Sequence, residues 1–336
     1  MRLLSLLLAI APATAFAQTL LQAKVAVIAK DAHGTVSVAC LLPGTTLNCD
    51  LNPHRHSPMQ SMFKYPLALT VLHLADTGKL FPDQRPEESV NVILDRKVRF
   101  LPEDRIPNAY SPLRDRHPNA NVDVTLRELI QLAAGQSDNG AEDTFLRIVG
   151  GHAIVQSYIR SLGVTAFQLI DSERDLDRDE SLQYRDWIEP AAAVKLLERL
   201  VHNPPISPAA NAFLVETLTA SVTGPNRLRA GLPTGTSLAH KTGSSGTHGS
   251  ITAATNDMGL ITRPDGRKLA IAALVTDSPA DEATREGVIA SIARAVDLEA
   301  ITTNSDSIQH SRIAAHYLAN CTLLASRTKA CENMSC

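Results

Sequence analysis

The chain has 336 residues, 44% of them hydrophobic and only 4% aromatic, enough to bury one large core or two cores that share an interface. With 32 basic against 35 acidic side chains, a formal charge of -3 and no basic block, nothing in it resembles the electrostatic footprint of a nucleic-acid binder.

The first residues, MRLLSLLLAIAPATAFAQ, carry one positive side chain, a short apolar run, and small residues at Ala15 and Ala17. That pattern predicts a secretory signal over 1–17, cut after Ala17. A membrane anchor is the weaker alternative, because Pro12 and Thr14 interrupt a run already too short to span a bilayer. No later segment reaches about 18 apolar residues, so a periplasmic or secreted protein with no stable membrane association is expected.

KVAVIAK (24–30) and TVSVACLL (35–42) have the β-branched, alternating character of strands, and the Asp-Ala-His-Gly between them predicts an antiparallel hairpin. The five cysteines are Cys40, Cys49, Cys321, Cys331 and Cys336. In an oxidising compartment Cys40 and Cys49 could be bridged across the turn-like LLPGTTLN. At least one of the five stays free or pairs outside the chain. A metal site is the rival, but no CxxC or HxxxH spacing supports it, and no metal or cofactor is expected.

Leu67, Val71 and Leu74 recur at helical spacing and Gly78 offers a stop, which predicts a helix over 61–77. From Asp123 to Leu218 the pattern is mostly helical, in VTLRELIQLAA, AEDTFLRIVGG, AIVQSYIRSLG, EPAAAVKLLERLV and SPAANAFLVETL. Between the third and fourth lies LIDSERDLDRDESLQYRDW, a polar loop long enough to suggest a functional role. Strand character returns in SLAHKTGSS, TAATNDMGLITR and RKLAIAALVTD, with Pro-Asp-Gly (264–266) as the turn between the last two. A helix follows over 281–296.

Strands at both ends with helices between them predict a sheet assembled from both termini and a helical block inserted as one piece. The expected division is an α/β domain from 18–60 plus 219–299 and an all-helical domain from 61–218. The tail, 300–336, has weak periodicity and three cysteines, and no role is assigned to it.

Three short motifs could carry chemistry. On a helix, Ser61 and Lys64 lie one turn apart on the same face. A serine at a helix start and a desolvated lysine can act as nucleophile and proton acceptor. Alone the pair means little, since about one chance match is expected in a chain of this composition. Ser137-Asp138-Asn139 precedes a helix and could be an ordinary N-cap. Lys241-Thr242-Gly243, on a strand, could be an edge protected by its lysine.

Together and in the order SxxK, SDN, KTG, the three motifs resemble those of the penicillin-recognising serine enzymes, and specifically the class A β-lactamases. The resemblance runs from about Val25 to about Leu298. It is closest to the extended-spectrum cephalosporinases, whose long loop ends in a run like Gln183-Tyr184-Arg185-Asp186-Trp187. The chain departs from the family at the cysteine-bearing insert near 40–49 and in the tail.

The resemblance implies an α/β domain with an antiparallel five-stranded sheet, an all-helical domain, and a site between them. It implies that Ser61 is acylated by a β-lactam with help from Lys64, with the backbone N–H groups of Ser61 and Ser244 as oxyanion hole. Ser137 passes a proton to the departing nitrogen, Lys241 keeps the local potential positive, and Asn139 binds the acylamino side chain. Glu173 aligns with the deacylating glutamate, which separates a hydrolase from a D,D-peptidase that merely accepts penicillin. Four residues on, Asp177 replaces an asparagine that helps hold the water, and a second carboxylate so close disfavours both being charged. Thr242, Ser244 and Arg227, with Arg229 as alternative, are expected to hold the substrate carboxylate, and Tyr110 to flank the mouth. Gln60 before the nucleophile and Ser245 stand where many carbapenemases place cysteines, so cephalosporins and penicillins are the expected substrates of a monomer. A non-catalytic penicillin sensor and a serine glutaminase are more distant alternatives.

Overall fold

In the computed structural model the described residues are 19–301 and 303, apart from 86. The expected signal peptide, most of the tail, and Cys321, Cys331 and Cys336 lie outside them.

The first described element is helix α1 (Leu20–Ile28), capped by a reciprocal Thr19–Gln22 box. This corrects the strand expected over 24–30, and with it the N-terminal hairpin. Val25, Val27 and Ile28 give the segment β-branched character, but burial decides otherwise. Leu21, Val25, Ala29 and Ala32 are buried at helical spacing, while Leu20 and Val27 are 90% and 62% exposed. A helix can lay that stripe on a sheet, and the capping box starts it in the right place.

The main sheet contains β1 (Thr35–Leu41), β2 (Ser237–Ser244), β3 (Thr247–His248), β4 (Ile251–Thr262) and β5 (Lys268–Ser278). Its order is β1-β5-β4-β2, all antiparallel, with short β3 paired to the start of β4 as the fifth strand. β1 therefore pairs with the far end of the sequence, Val38 opposite Ala273. Cys40 and Cys49 are disulfide-bonded, in a loop that folds back on β1 through reciprocal Val38–Leu51 backbone bonds.

Both faces of the sheet are covered, so its strands are buried almost continuously. Ile271, Ala273 and Val275 of β5 pack outward against α1 and the last helix, α8 (282–301), with Val288 and Ile292. The alternate residues Ala270, Ala272 and Leu274 face the helical region. That region is built round α2 (Lys64–Asp76), whose first nine residues are all buried. About it pack α3 (Asn139–Val149), α4 (His152–Ser161), α6 (Pro190–Glu198) and α7 (Pro208–Thr219).

The stretch 124–134 is not one helix. An α segment, Leu126–Ile130, widens into a π turn, Gln131–Gly135, immediately before Ser137; such widening often marks functional sites. The polar loop 169–187 is also more ordered than its composition suggests. It contains α5 (Glu173–Arg178) and a 3₁₀ turn, Glu180–Tyr184. Its ends are pinned where Phe167–Gln168 pairs with Trp187–Ile188 and where Asp186 Oδ1 accepts the N–H groups of Ile170 (2.6 Å) and Asp171 (3.2 Å). No helix among the described residues is long and apolar enough to cross a membrane.

Candidate active site

Ser61 lies in a 3₁₀ turn, Gln60–Phe63, that leads directly into α2. Gln60 before it has φ +49°, a left-handed conformation that a side chain tolerates only where its surroundings hold it. Here the Gln60 amide donates to Gln183 Oε1 at 2.9 Å, and strand β2 presses in from the other side. A Cβ on Gly243 would stand 2.3 Å from the Met59 carbonyl oxygen, so the glycine of the KTG motif lets β2 approach the turn that carries Ser61.

Lys64 follows one turn later with no exposure. Its ammonium donates to the Ser137 carbonyl (3.1 Å), to Asn139 Oδ1, and to Glu173 Oε1 at 3.0 Å. A fully buried lysine needs such compensation. Ser61 Oγ donates to the same Glu173 oxygen, at 3.0 Å. Ser61 and Lys64 thus meet through Glu173 Oε1, a more indirect connection than their helical spacing predicts.

Ser137 has φ +63°, and the residue after it fixes the loop. Asp138 is buried, caps α3 at Ala141 N–H (2.9 Å), and accepts from Ser111 Oγ (2.8 Å) and Leu113 N–H (2.6 Å). Held this way, Ser137 Oγ accepts from Lys241 Nζ at 2.9 Å, and the Thr242 carbonyl accepts from the same amine at 3.0 Å. Burial, and next the Lys64 ammonium, push the Lys241 amine well below the usual lysine range. A proton on this amine is correspondingly easy to give up.

Glu173 is the first residue of α5, whose Ser172–Asp175 box fixes the helix start. One helical turn later, Asp177 lines the same cavity, of about 400 Å³, with Gln60, Asn108, Ser244 and Ser245. The Asp177 carboxylate makes no hydrogen bond or ion pair among the described residues, and the Glu173 carboxylate is engaged by Ser61 and Lys64 instead. Ser245 Oγ accepts from Ala254 N–H at 2.9 Å and holds the β2–β4 end of the cavity.

Arg227 is buried, with Nε 2.9 Å from Glu286 Oε1 and Nη2 donating to Ser244 Oγ at 2.7 Å. Thr242 Oγ1 donates to Thr223 Oγ1 at 2.8 Å. Arg229 points elsewhere, to the Leu238 carbonyl. Tyr110 is exposed, and its carbonyl accepts from Asn139 N–H at 3.1 Å. All the sequence-expected residues other than Arg229 are therefore brought to one cleft between β2, the start of α2, the start of α3, and α5.

A family model described as the beta-lactamase enzyme family matches residues 20–298. The chain belongs to that family. The extended-spectrum beta-lactamase PER-1 of Pseudomonas aeruginosa is 36% identical over 77% of this chain and 80% of its own length. The crystal structure of a beta-lactamase from Chitinophaga pinensis superposes with a TM-score of 0.75 at 39% identity, over 82% of this chain and 97% of that one. A class A beta-lactamase from Bacteroides cellulosilyticus gives 0.74 at 29% identity, over 82% and 95%. The two-part fold with its five-stranded antiparallel sheet is that of the class A beta-lactamases.

Several residues near this beta-lactamase site carry no sequence signal strong enough to single them out. Glu142 is fully buried on α3 beside Lys64 and Glu173, and neither carboxyl oxygen has a hydrogen-bond partner among the described residues. Burial, and next the Glu173 charge, push the Glu142 carboxyl well above its usual range. A buried carboxyl that the sequence does not single out, Glu142, thus lies beside Glu173, while Asp177 lines the cavity. Asp143, next to it, pairs with Arg174 of α5 and ties the loop to α3. Thr223 and Glu286 anchor Thr242 and Arg227, and only their three-dimensional neighbours reveal them.

Proposed function

We propose that this beta-lactamase opens the lactam ring of cephalosporins and penicillins through an acyl-enzyme on Ser61. The observation that carries the proposal is the hydrogen-bonded array Lys64–Glu173–Ser61 beside Lys241–Ser137, which gives each proton in two half-reactions a place to go.

In the first half-reaction Ser61 Oγ forms a bond to the lactam carbonyl carbon, and its proton leaves through the Glu173 Oε1–Lys64 pair. The developing oxyanion is held by the backbone N–H groups of Ser61 and Ser244. The carbon–nitrogen bond then breaks, the ring nitrogen takes the Ser137 proton, Lys241 replaces it, and the proton taken from Ser61 passes by way of Lys64 to Lys241, so that Glu173 is a carboxylate again before water enters. The depressed proton affinity of Lys241 suits that task. In the second half-reaction a water in the place of the Ser61 hydroxyl gives its proton to Glu173 and attacks the ester carbonyl. The ester bond breaks and Ser61 regains its proton.

Arg227, through Ser244 Oγ, and Thr242 present a cation and hydroxyls to the substrate carboxylate. Asn139 and Tyr110 bind the acylamino side chain, which extends into the cavity bounded by Asp177 and the small Ser245. A roomy cavity with a small residue there favours bulky oxyimino-cephalosporins, and the PER-1 relative is named an extended-spectrum beta-lactamase. We assign residues 1–17 as a secretion signal and place the mature protein in the periplasm or outside the cell. It works as a monomer with no nucleic-acid or membrane partner.

Nitrocefin tests the proposal. Sustained turnover is expected, whereas a D,D-peptidase would release one equivalent of product in a slow burst. Steady-state hydrolysis of a penicillin, an oxyimino-cephalosporin and a carbapenem side by side should rank the carbapenem last.

A further inference from the structure

Two side chains at the cavity rim take no part in the chemistry above. Glu180 starts the 3₁₀ turn at the outer end of the loop 169–187, and His248 ends β3. They meet across the cavity mouth, with Glu180 Oε1 2.5 Å from His248 Nδ1. Both line the same cavity as Glu173 and Ser245.

The elements they join are otherwise held separately. The loop is tied down by Gln183 to Gln60 (2.9 Å) and by Tyr184 Oη, which donates to Asp277 Oδ1 (2.6 Å). β3 is held to β4 by its strand pairing and by the Thr247–Thr252 hydroxyl bond (2.7 Å). Gly246 and Gly249 flank it. Gly249 has φ +61°, and a Cβ on Gly246 would stand 2.9 Å from His248 Nε2. Gly246 therefore leaves room for the imidazole to lie back over the cavity. At 52% and 54% side-chain exposure, such a pair is worth little in water. It can part and re-form without disturbing the anchors on either side.

We propose that the Glu180–His248 pair is a specificity-determining clasp that closes the cavity over the acyl side chain of the substrate and sets how large that side chain can be. The proposal rests on the cavity being the acyl side-chain subsite, as above. A small side chain fits beneath the closed pair, whereas a branched oxyimino group has to part it, so breaking the pair should favour the bulky substrate.

The test compares kcat/KM for two cephalosporins with one nucleus, one carrying a small flat acyl group and the other an oxyimino group. Wild type is measured with Glu180→Gln, His248→Ala, and the charge-exchanged double variant Glu180→Lys/His248→Glu. The bulky-to-small ratio should rise about three- to fivefold in each single variant, the upper end of what parting an exposed pair can cost. It should return to within about twofold of wild type in the exchanged variant, as a restored pair coupling requires. A ratio that stays at the wild-type value in both single variants, or that remains raised in the exchanged one, overturns the clasp alone. Wild type that hydrolyses neither substrate overturns the functional proposal itself. Thermal melting of all four proteins separates these outcomes from loss of fold, and Glu180→Gln changes one half-exposed side chain by a single atom.

Discussion

Arg227 combines two roles that a paired substitution can separate. It is buried with Glu286, at 2.9 Å, and also donates to the Gly243 and Asn256 carbonyls and to Ser244 Oγ. Arg227→Gln takes from the buried Glu286 its 2.9 Å ion pair and leaves it the Asn226 amide, at 3.1 Å, as a hydrogen-bond donor. Breaking a buried pair from one side costs about 3–5 kcal/mol. On the proposed function the substitution also removes the cation offered to the substrate carboxylate, a charge-assisted interaction of about 1.5–3 kcal/mol, and KM should rise by about 10- to 100-fold with a smaller change in kcat. Adding Glu286→Gln removes the stranded charge and should restore most of the stability while leaving KM raised. Urea unfolding and steady-state hydrolysis of a cephalosporin on the two variants provide the assay. A double variant that recovers stability and KM together would show that Arg227 serves only the fold.

Asp186 pins the neck of the loop, and burial raises its carboxyl to about 7. The folded state therefore holds a proton that the unfolded chain releases above about pH 4, and stability falls as pH rises from there through about 7. The difference corresponds to at most about 4 kcal/mol. Asp186→Asn keeps an acceptor for Ile170 and Asp171, so it should unfold at higher urea than wild type at pH 8 and at nearly the same urea at pH 4. Glu142→Gln should act with the same sign, gaining on wild type as pH rises above the ordinary carboxylate range, because the raised pKa of Glu142 has the same linkage. Gly243→Ala should lower kcat by about 100-fold, the effect of displacing reacting groups by about 1 Å, since the new methyl drives β2 away from Met59 and Ser61. A steady-state assay beside a thermal melt would distinguish this from unfolding.

Most of the sheet was legible because β5 and β4 carry long apolar runs joined by Pro-Asp-Gly, a pattern that local chemistry alone favours. The first helix was not. Val25, Val27 and Ile28 have strand-like side chains, and only the sheet beneath Leu21 and Val25 selects the helix. The site motifs were legible in combination, since SxxK, SDN and KTG each name their own backbone setting. Their connections were less so. That Ser61 and Lys64 share one oxygen of Glu173, and that Glu142 is buried beside it, depends on how α3 packs against α5. Neighbours on different elements leave no spacing in the sequence.

The central claim is that Ser61 is acylated and that Glu173 provides the base for its release. Glu173→Ala removes the carboxylate that holds Lys64 as an ammonium, so the buried lysine can shed its proton and take that of the serine, but it leaves nothing to activate the water. Intact mass spectrometry after mixing this variant with a cephalosporin should show a stable adduct of one opened lactam per chain, absent from a Ser61→Ala variant. Unmodified protein that turns over substrate at the wild-type rate would contradict the account.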